Sequence, residues 1–97
     1  MKIEFDPKKD AANHAKHGVS MAFAEFFDFS TALLTQDTRR DYREARMIAL
    51  GYIGSRLYTL IFTRRGETVR VISLRKANKR EERSYFNGKA QKTTRYQ

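Results

Sequence analysis

The sequence contains no cysteine, a single proline and no apolar run longer than a handful of residues. Without cysteine the chain has no disulfide framework, no thiol nucleophile and no thiolate zinc site, so a reducing compartment suits it. The short apolar runs and the charged start from Met1 to Glu4 predict neither a transmembrane helix nor a secretory signal. We therefore expect a cytoplasmic protein that does not associate with a membrane.

Positive charge dominates the polar residues. Lysine and arginine number 20 against 11 acidic residues, which gives the 97-residue chain a formal net charge of +9. Hydrophobic residues make up 40% of the chain and include seven Phe and five Tyr, which is enough for the core of one small domain. The excess charge therefore lies on a folded surface, and it predicts an anionic partner, most commonly nucleic acid.

The N-terminal part of the sequence predicts a strand followed by a helix. Residues 2–5 have the alternation of a short strand. Asp6 and Pro7 are favourable at a helix start, and Gly18 is favourable just after a helix end, so a helix is predicted over residues 7–17. We expect its apolar stripe to pack against the sheet; the stripe consists of Ala11, Ala12 and Ala15.

A second helix follows directly. Ser20 is placed to cap it, and three phenylalanines repeat at helical spacing, at positions 23, 26 and 27. The pattern predicts an amphipathic helix that ends at about residue 28.

From residue 31 to residue 75 the sequence has the alternating and β-branched pattern of β-strands. Short β-rich runs are separated by Gly54-Ser55 and Arg65-Gly66, which are typical of hairpin turns. A last helix is predicted from Asn78 to Asn87-Gly88. The result is an α+β fold in which two N-terminal helices pack on an antiparallel meander. The predicted strands occupy residues 31–35, 46–53, 57–63 and 68–75, a single domain spans residues 1–88, and residues 89–97 form a basic flexible tail.

Side-chain alternation assigns the strand residues to faces if both hairpins have two-residue loops. One face then carries Met47, Ala49, Ile53, Tyr58, Leu60, Phe62, Val69 and Val71, with Arg64, Ser73 and Arg75 at its end. The other carries Ile48, Leu50, Leu57, Ile61, Ile72 and Leu74. Both faces need cover, from the N-terminal helices on one and from a further helix or a partner chain on the other. A three-residue loop at Arg65 would exchange the two faces of the last strand relative to the strand before it.

Several classes of enzyme lack their motifs in this sequence. There is no Gly-rich phosphate loop, no nucleophile elbow and no His-Glu-x-x-His pair, which excludes a nucleotide triphosphatase, a serine hydrolase and a zinc enzyme. Asp37, Asp41 and Glu44 could hold Mg²⁺, but arginines alternate with them, and a salt-bridged surface loop is the simpler interpretation. We therefore expect no metal and no cofactor.

The cations cluster around the last hairpin and the helix after it. Guanidinium groups and free helix amides can both bind phosphate there, so the cluster is interpreted as an RNA-binding patch. Tyr58 and Tyr85 could stack on unpaired bases, or fill core volume with their hydroxyls at the rim. The basic members of the patch are Arg64, Arg65, Arg70, Arg75, Lys76, Lys79, Arg80 and Arg83.

Two histidines, His14 and His17, lie near the end of the first helix, where the helix C-terminus alone would favour a protonated imidazole. A metal-free ribonuclease needs a base for the ribose 2′-hydroxyl, a stabiliser for the phosphorane and an acid for the leaving 5′-oxygen. His17 and Glu44 are the candidate base or acid. Arg64 and Arg75 are the candidate charge stabilisers.

Several motifs occur in a fixed order along the chain. They include Phe5-Asp6-Pro7, Lys16-His17-Gly18-Val19-Ser20, Asp37-Thr38-Arg39, Thr63-Arg64-Arg65-Gly66 and the run from Arg70 to Asn78. Together they resemble the BrnT family of toxins over residues 3–86. Position 43 departs from the family, with Arg where a small residue is expected.

This resemblance implies a RelE-like fold, ribonuclease activity that arrests translation, and neutralisation by a cognate BrnA antitoxin. It also implies that operator DNA is bound only through the antitoxin complex, and that His17, Arg64, Arg75 and Arg80 carry function. The resulting prediction is a metal-independent endoribonuclease toxin of a type II toxin–antitoxin pair. Two alternatives stay open: a non-catalytic basic nucleic-acid-binding module, and a subunit whose basic face receives an acidic partner segment.

Overall fold

A five-stranded sheet forms the centre of the protein. The computed structural model describes residues 2–95, with the side chains of residues 2–88. In chain order the elements are β1 (Lys2–Glu4), α1 (Pro7–His17), a 3₁₀ helix (Met21–Phe26), β2 (Asp28–Gln36), β3 (Met47–Ile53), β4 (Arg56–Arg65), β5 (Thr68–Lys76) and α2 (Lys79–Arg95).

The strand order is β1-β5-β4-β3-β2. Strands β2 to β5 form the predicted antiparallel meander, while β1 pairs in parallel with β5 and makes the sheet mixed. The α+β class is therefore confirmed. One detail of the prediction is wrong, because the second N-terminal helix is a short 3₁₀ helix. The parallel pairing of β1 was not predicted. Neither α1 nor α2, over the described residues, is long and apolar enough to cross a membrane.

Helix α1 begins and ends where the sequence predicts. The Asp6 carboxylate accepts a hydrogen bond from the Lys8 amide at 2.9 Å, and Gly18 caps the C-terminus. The predicted alanine stripe, however, faces solvent, and the half-buried or buried residues of the helix are Asp10, Asn13 and His17.

The polar orientation of α1 follows from its place beside an open strand edge. Strand β1 ends at Glu4, opposite Arg70, so the outer edge of β5 beyond that point has no paired strand. Asn13 occupies this edge: its Nδ2 donates to the Leu74 carbonyl at 2.9 Å, and the Leu74 amide donates to its Oδ1 at 3.3 Å. Helix α1 thus contributes hydrogen bonds to an unpaired edge rather than apolar burial.

Two apolar clusters pack on opposite faces of the sheet. The larger joins the 3₁₀ segment to the sheet and contains Met21, Ala24, Phe27, Ala49, Ile53, Tyr58, Leu60, Phe62, Val69, Val71 and Leu74. The smaller lies under α2 and contains Leu57, Ala77 and Tyr85. The further helix that the second face needs is therefore α2.

A β-bulge in β5 changes which side chains share a face. Ile61 pairs with Ser73, and the next residue, Phe62, pairs with Val71, so Ile72 is an extra residue in β5. Both hairpins do have two-residue loops, since Ile53 pairs with Arg56 and Arg65 with Thr68.

The bulge makes the predicted faces of Ser73, Leu74 and Arg75 wrong. Leu74 is fully buried in the larger cluster, while Arg75 lies opposite Thr59 on the face that α2 covers. In an unbroken strand Arg70 and Arg75, five positions apart, would point to opposite faces. The extra residue brings both arginines to the α2 face.

Helix α2 continues past its predicted end at Asn87-Gly88 and reaches Arg95. Gly88 does not adopt a positive φ. A Cβ there would lie 2.6 Å from Leu33 Cδ1, so the missing side chain lets the helix approach β2. Residues 96–97, including Tyr96, and the side chains of residues 89–95 lie outside the described part, and the division into a domain and a flexible tail stays a prediction.

Candidate nucleic-acid interface

Arg75 of β5 is held in place by Glu81, which lies in the first turn of α2. Its Nη1 and Nη2 donate to Glu81 Oε1 and Oε2 at 2.7 and 2.8 Å, a bidentate ion pair. Glu81 Oε1 also accepts from the Asn78 amide at 2.9 Å, and Asn78 Oδ1 accepts from the Glu81 amide at 2.8 Å. This capping box fixes the carboxylate, and the carboxylate fixes the guanidinium.

Glu81 stays ionised near neutral pH. Burial raises the pKa of Glu81, but the hydrogen bonds from Arg75 and from the Asn78 amide outweigh it, and the pKa lies below 4.5. The buried Thr59 hydroxyl lies close enough to lower this pKa further, although it makes no hydrogen bond that meets the usual distance and angle limits among the described residues. Arg75 therefore has a permanent counter-ion.

His17 lies near Arg75 at the end of α1. Burial, the Lys16 charge and the Arg75 charge together lower the pKa of His17 below 6.5. This shift favours the neutral imidazole, whereas the helix C-terminus alone would favour the protonated form. Of the four predicted catalytic residues, these two are near enough for the Arg75 charge to act on the His17 imidazole.

A second group of charges lies at the opposite end of the sheet, around the β4–β5 hairpin. Arg65 Nη2 is 3.0 Å from Glu44 Oε1, and Glu4 Oε1 is 3.6 Å from Arg65 Nη1 and 3.4 Å from Arg70 Nη1. The hydrogen bond from Arg65 lowers the pKa of Glu44, which makes this carboxylate a weaker base. Glu44 is thus an ion-pair partner of Arg65.

The two groups are well separated. Arg75 pairs with Thr59 and Arg70 with Thr63, four residues further along β4, which corresponds to about 13 Å. Glu44 therefore does not meet His17 or Arg75. Arg64 alternates with Arg65 and lies on the opposite face of β4, where it is exposed.

The two tyrosines of the predicted RNA-binding patch are core residues. Tyr58 is 7% and Tyr85 4% exposed. The Tyr85 hydroxyl donates to the Thr31 carbonyl at 2.6 Å, and its ring meets those of Tyr52 and Phe86 edge-on. Stacking on bases by these two rings finds no support in this geometry, and packing accounts for both.

The remaining cations of the predicted patch are exposed around the start of α2. Within the described part of the chain none of them forms an ion pair, so their charges face solvent. These residues are Lys76, Lys79, Arg80 and Arg83.

One basic region did not emerge from the sequence, where residues 37–46 were interpreted as a salt-bridged surface loop. The ion pairs Asp37–Arg39 at 2.7 Å and Glu44–Arg65 at 3.0 Å agree with that interpretation. Two adjacent cavities of about 430 and 660 Å³ are nevertheless lined by Arg40, Arg43 and Arg46. The sequence signal for this basic region is the excess of arginine over carboxylate within the loop.

Among the described residues no group of three His, Asp or Glu side chains could hold a metal ion.

Comparison with known families agrees with these features. A family model described as the ribonuclease toxin BrnT of type II toxin–antitoxin systems matches residues 5–81. The chain belongs to the BrnT family. No individually curated protein matches it.

As a BrnT protein, the chain is a ribonuclease toxin of a type II toxin–antitoxin system, with RNA as its substrate and an antitoxin as its partner. The stretch common to the BrnT family includes His17, Arg64 and Arg75 and ends at Glu81, the residue that orients Arg75. The cations exposed around the start of α2 suit the polyanionic substrate of a ribonuclease.

Proposed function

We propose that this BrnT protein is a metal-independent endoribonuclease that inhibits translation in the cytoplasm, and that His17 and Arg75 act at its reaction centre. The observation that carries the proposal is the Arg75 guanidinium, which Glu81 orients and whose charge is near enough to His17 to lower the pKa of the imidazole. Arg64 and Glu44, about 13 Å or more away along the sheet, have no part in this centre.

The chemistry is cleavage by the neighbouring 2′-hydroxyl. Neutral His17 accepts the 2′-hydroxyl proton as the oxygen attacks the adjacent phosphorus, and the bond to the 5′-oxygen breaks. The leaving 5′-oxygen takes a proton from water, so the products are a 2′,3′-cyclic phosphate and a 5′-hydroxyl. Arg75 stabilises the charge that builds on the phosphorane oxygens.

Arg75 can do this while bound to Glu81. A guanidinium has five N–H donors, of which Glu81 takes two and the Lys76 carbonyl one at 3.4 Å. The side chain is 31% exposed, so the other donors can meet a phosphate oxygen. The neighbouring cations Lys76, Lys79, Arg80 and Arg83 would hold the flanking phosphates.

Metal independence is supported by the state of the acidic residues. Asp37 is bound by Arg39 and Glu44 by Arg65, so two of the three carboxylates considered for Mg²⁺ already have arginine partners. A hard cation would have to displace both ion pairs.

The antitoxin is proposed to be BrnA-like and to cover the face that carries Arg75. Covering that face would block both the guanidinium and the cations around it, which explains neutralisation by direct contact. Operator DNA would then be bound only through the toxin–antitoxin complex. In the complex, slower amide hydrogen exchange at the end of β5 and the start of α2 is expected, and unchanged exchange there would contradict this arrangement.

The test uses the purified full chain, released from its antitoxin, with single-stranded RNA in EDTA. Wild-type protein should cleave the RNA and leave 2′,3′-cyclic phosphate ends. Arg75→Ala and Arg75→Lys should lower the cleavage rate by about 10²- to 10³-fold. His17→Ala should lower it by about 10²-fold or more.

Matched controls separate chemistry from folding. His14→Ala removes the other, exposed histidine of α1 and should keep full activity. Each variant should show cooperative unfolding. Salt-sensitive binding of RNA without cleavage would instead support a nucleic-acid-binding module, and full activity of Arg75→Lys and His17→Ala would remove their proposed roles.

A further inference from the structure

The loop of residues 37–46, between β2 and β3, is organised around a buried carboxylate. The Asp37 side chain is fully buried and accepts hydrogen bonds from Arg39 Nε at 2.8 Å, Arg39 Nη2 at 2.7 Å and the Tyr42 hydroxyl at 3.3 Å. The hydrogen bond from Arg39 is the main reason why the pKa of Asp37 lies well below its usual range. The Asp37 amide donates to the Arg46 carbonyl at 2.7 Å and joins the two ends of the loop. The loop therefore has a defined conformation of its own.

The same loop is attached to the sheet on the α2 side. The Thr63 hydroxyl donates to the Ala45 carbonyl at 2.8 Å, and Arg65 pairs with Glu44. Thr63 and Arg65 share a face of β4 with Thr59, which lies opposite Arg75. The loop, Arg65 and Arg75 consequently line one continuous side of the protein.

These contacts leave several arginines of the loop without a carboxylate partner among the described residues. Arg40 and Arg43 are exposed and form no ion pair among the described residues. The Arg46 guanidinium lies over the Tyr42 ring, 4.0 Å from its centroid. Asp41 is the one remaining carboxylate of the loop, so three arginines face a single acid.

These residues surround the two cavities. Both are open to solvent, have volumes of about 430 and 660 Å³, and are lined by Arg40, Asp41, Tyr42, Arg43 and Arg46. Arginine supplies both a fork for a phosphate and a flat surface on which an unpaired base can stack.

We propose that the loop of residues 37–46 is a second RNA-binding site, which holds a nucleotide away from the bond that is cut. Arg40 and Arg43 bind phosphate, and the Arg46–Tyr42 stack receives a base. RNA is favoured over an acidic protein segment. The carboxylates of such a segment would bind only the guanidinium groups, whereas RNA also has bases that can stack on the Arg46–Tyr42 pair. This inference rests on the proposed function, because it concerns the same substrate.

The geometry sets the length of RNA that can use both sites. Thr63, which anchors the loop, is four residues along β4 from Thr59, the residue opposite Arg75. The strand rise over four residues places this anchor about 13 Å from Thr59. A dinucleotide, with one bridging phosphate, cannot reach both sites, whereas an oligonucleotide can.

The first test measures binding with cleavage removed. A fluorescent, fully 2′-O-methylated oligonucleotide lacks the attacking hydroxyl, and its anisotropy reports affinity for the full chain. The double variant Arg40→Ala/Arg43→Ala should bind about tenfold more weakly at moderate salt. Its slope of log K against log salt should be smaller by about 1.4, because two fewer phosphates of a single strand are neutralised. The control Lys8→Ala/Lys9→Ala removes two exposed charges from α1 and should bind like wild type.

The second test uses cleavage of substrates of two lengths. For an oligonucleotide, the loop variant should show a KM raised about tenfold with an unchanged kcat, because the loop does not touch the reacting atoms. For a dinucleotide, both constants should equal those of wild type.

Three results would overturn the proposal. These are wild-type affinity and salt slope in the loop variant, an equal loss in the Lys8/Lys9 control, and loss of antitoxin binding with RNA binding intact. Because the binding test needs no cleavage, it decides on the loop even if the wild-type chain proves to cut no RNA. Arg75→Lys should leave most of the binding intact while it lowers the cleavage rate by about 10²- to 10³-fold, so failure at the reaction centre is recognisable by itself.

Discussion

Asn13 should contribute more to stability than any exposed residue of α1. Its Nδ2 donates to the Leu74 and Val19 carbonyls, both at 2.9 Å, and its Oδ1 accepts from the Leu74 amide at 3.3 Å. Asn13→Ala removes these three bonds, together with the longer one that the Ser73 hydroxyl donates to Oδ1 at 3.4 Å, and leaves Leu74 with an unpaired amide and carbonyl. A lost hydrogen bond costs about 0.5–1.5 kcal/mol, and a buried group left unpaired about 1–3 kcal/mol.

We therefore expect Asn13→Ala to lower the free energy of unfolding by about 2–4 kcal/mol, a large share of the ~5–15 kcal/mol typical of a domain. Urea unfolding followed by circular dichroism measures the change, and the slope of the free energy against urea should stay constant. Asn13→Asp should be at least as harmful, because it loses both donors and brings a carboxylate close to two carbonyls.

His14→Ala is the matched control, since His14 is the next residue of the same helix and is exposed. It should change stability by less than about 0.5 kcal/mol. A loss below ~0.5 kcal/mol in Asn13→Ala, or an equal loss in the control, would refute the view that Asn13 completes the edge of β5.

Three further predictions follow from other contacts. Gly51→Ala should cost about 1–3 kcal/mol in urea unfolding, because its Cβ would lie 2.7 Å from Phe27 Cζ; a neutral effect would contradict this packing. In NMR titration His17 should have its midpoint below 6.5 and move upwards in Arg75→Gln, because a neighbouring positive charge is removed; a wild-type midpoint at or above 6.5 would contradict it. The depressed pKa of Glu81 gives stability that is present above pH 4.5 and lost as pH falls through the folded pKa, so Glu81→Gln should flatten the acid side of the stability profile, whereas an unchanged profile would be inconsistent with the ion pair.

Local signals in the sequence were sufficient for the elements whose ends depend on nearby residues. Helix α1 starts at Asp6-Pro7 and stops at Gly18, as capping chemistry requires. Gly54 and Gly66 take positive φ in their two-residue hairpin loops. Both features involve contacts within a few residues, which is why they can be predicted without the tertiary structure.

The elements that were mispredicted depend on distant residues. The alanine stripe of α1 is exposed because an unpaired edge of β5, some 60 residues away, attracts Asn13 instead. Gly88 continues α2 rather than ending it, because Leu33 of β2 packs against it. No local propensity contains these contacts.

The same reasoning explains why only half of the predicted catalytic set came together. His17 lies within the electrostatic reach of Arg75 because Asn13 attaches α1 to the edge of β5 at Leu74, next to Arg75. Residue type alone predicts a catalytic role for Glu44, which lies beside Arg65 at the far end of the sheet. Residue type can nominate a base, but only the register of the sheet decides what it can reach.

The bulge in β5 shows how a sequence can carry a signal that is difficult to interpret in isolation. The apolar residues of this strand change phase, from Val69 and Val71 at odd positions to Ile72 and Leu74 at even ones. A strand covered on both faces produces the same pattern, so the sequence does not distinguish the two cases. Pairing with β4 does, since Phe62 and Ile61 meet Val71 and Ser73 and leave Ile72 as the extra residue. Without that residue Leu74 would leave the main core and Arg75 would turn away from Glu81. The extra residue therefore serves packing and charge placement at the same time, since it places Leu74 in the main core and Arg75 beside Glu81.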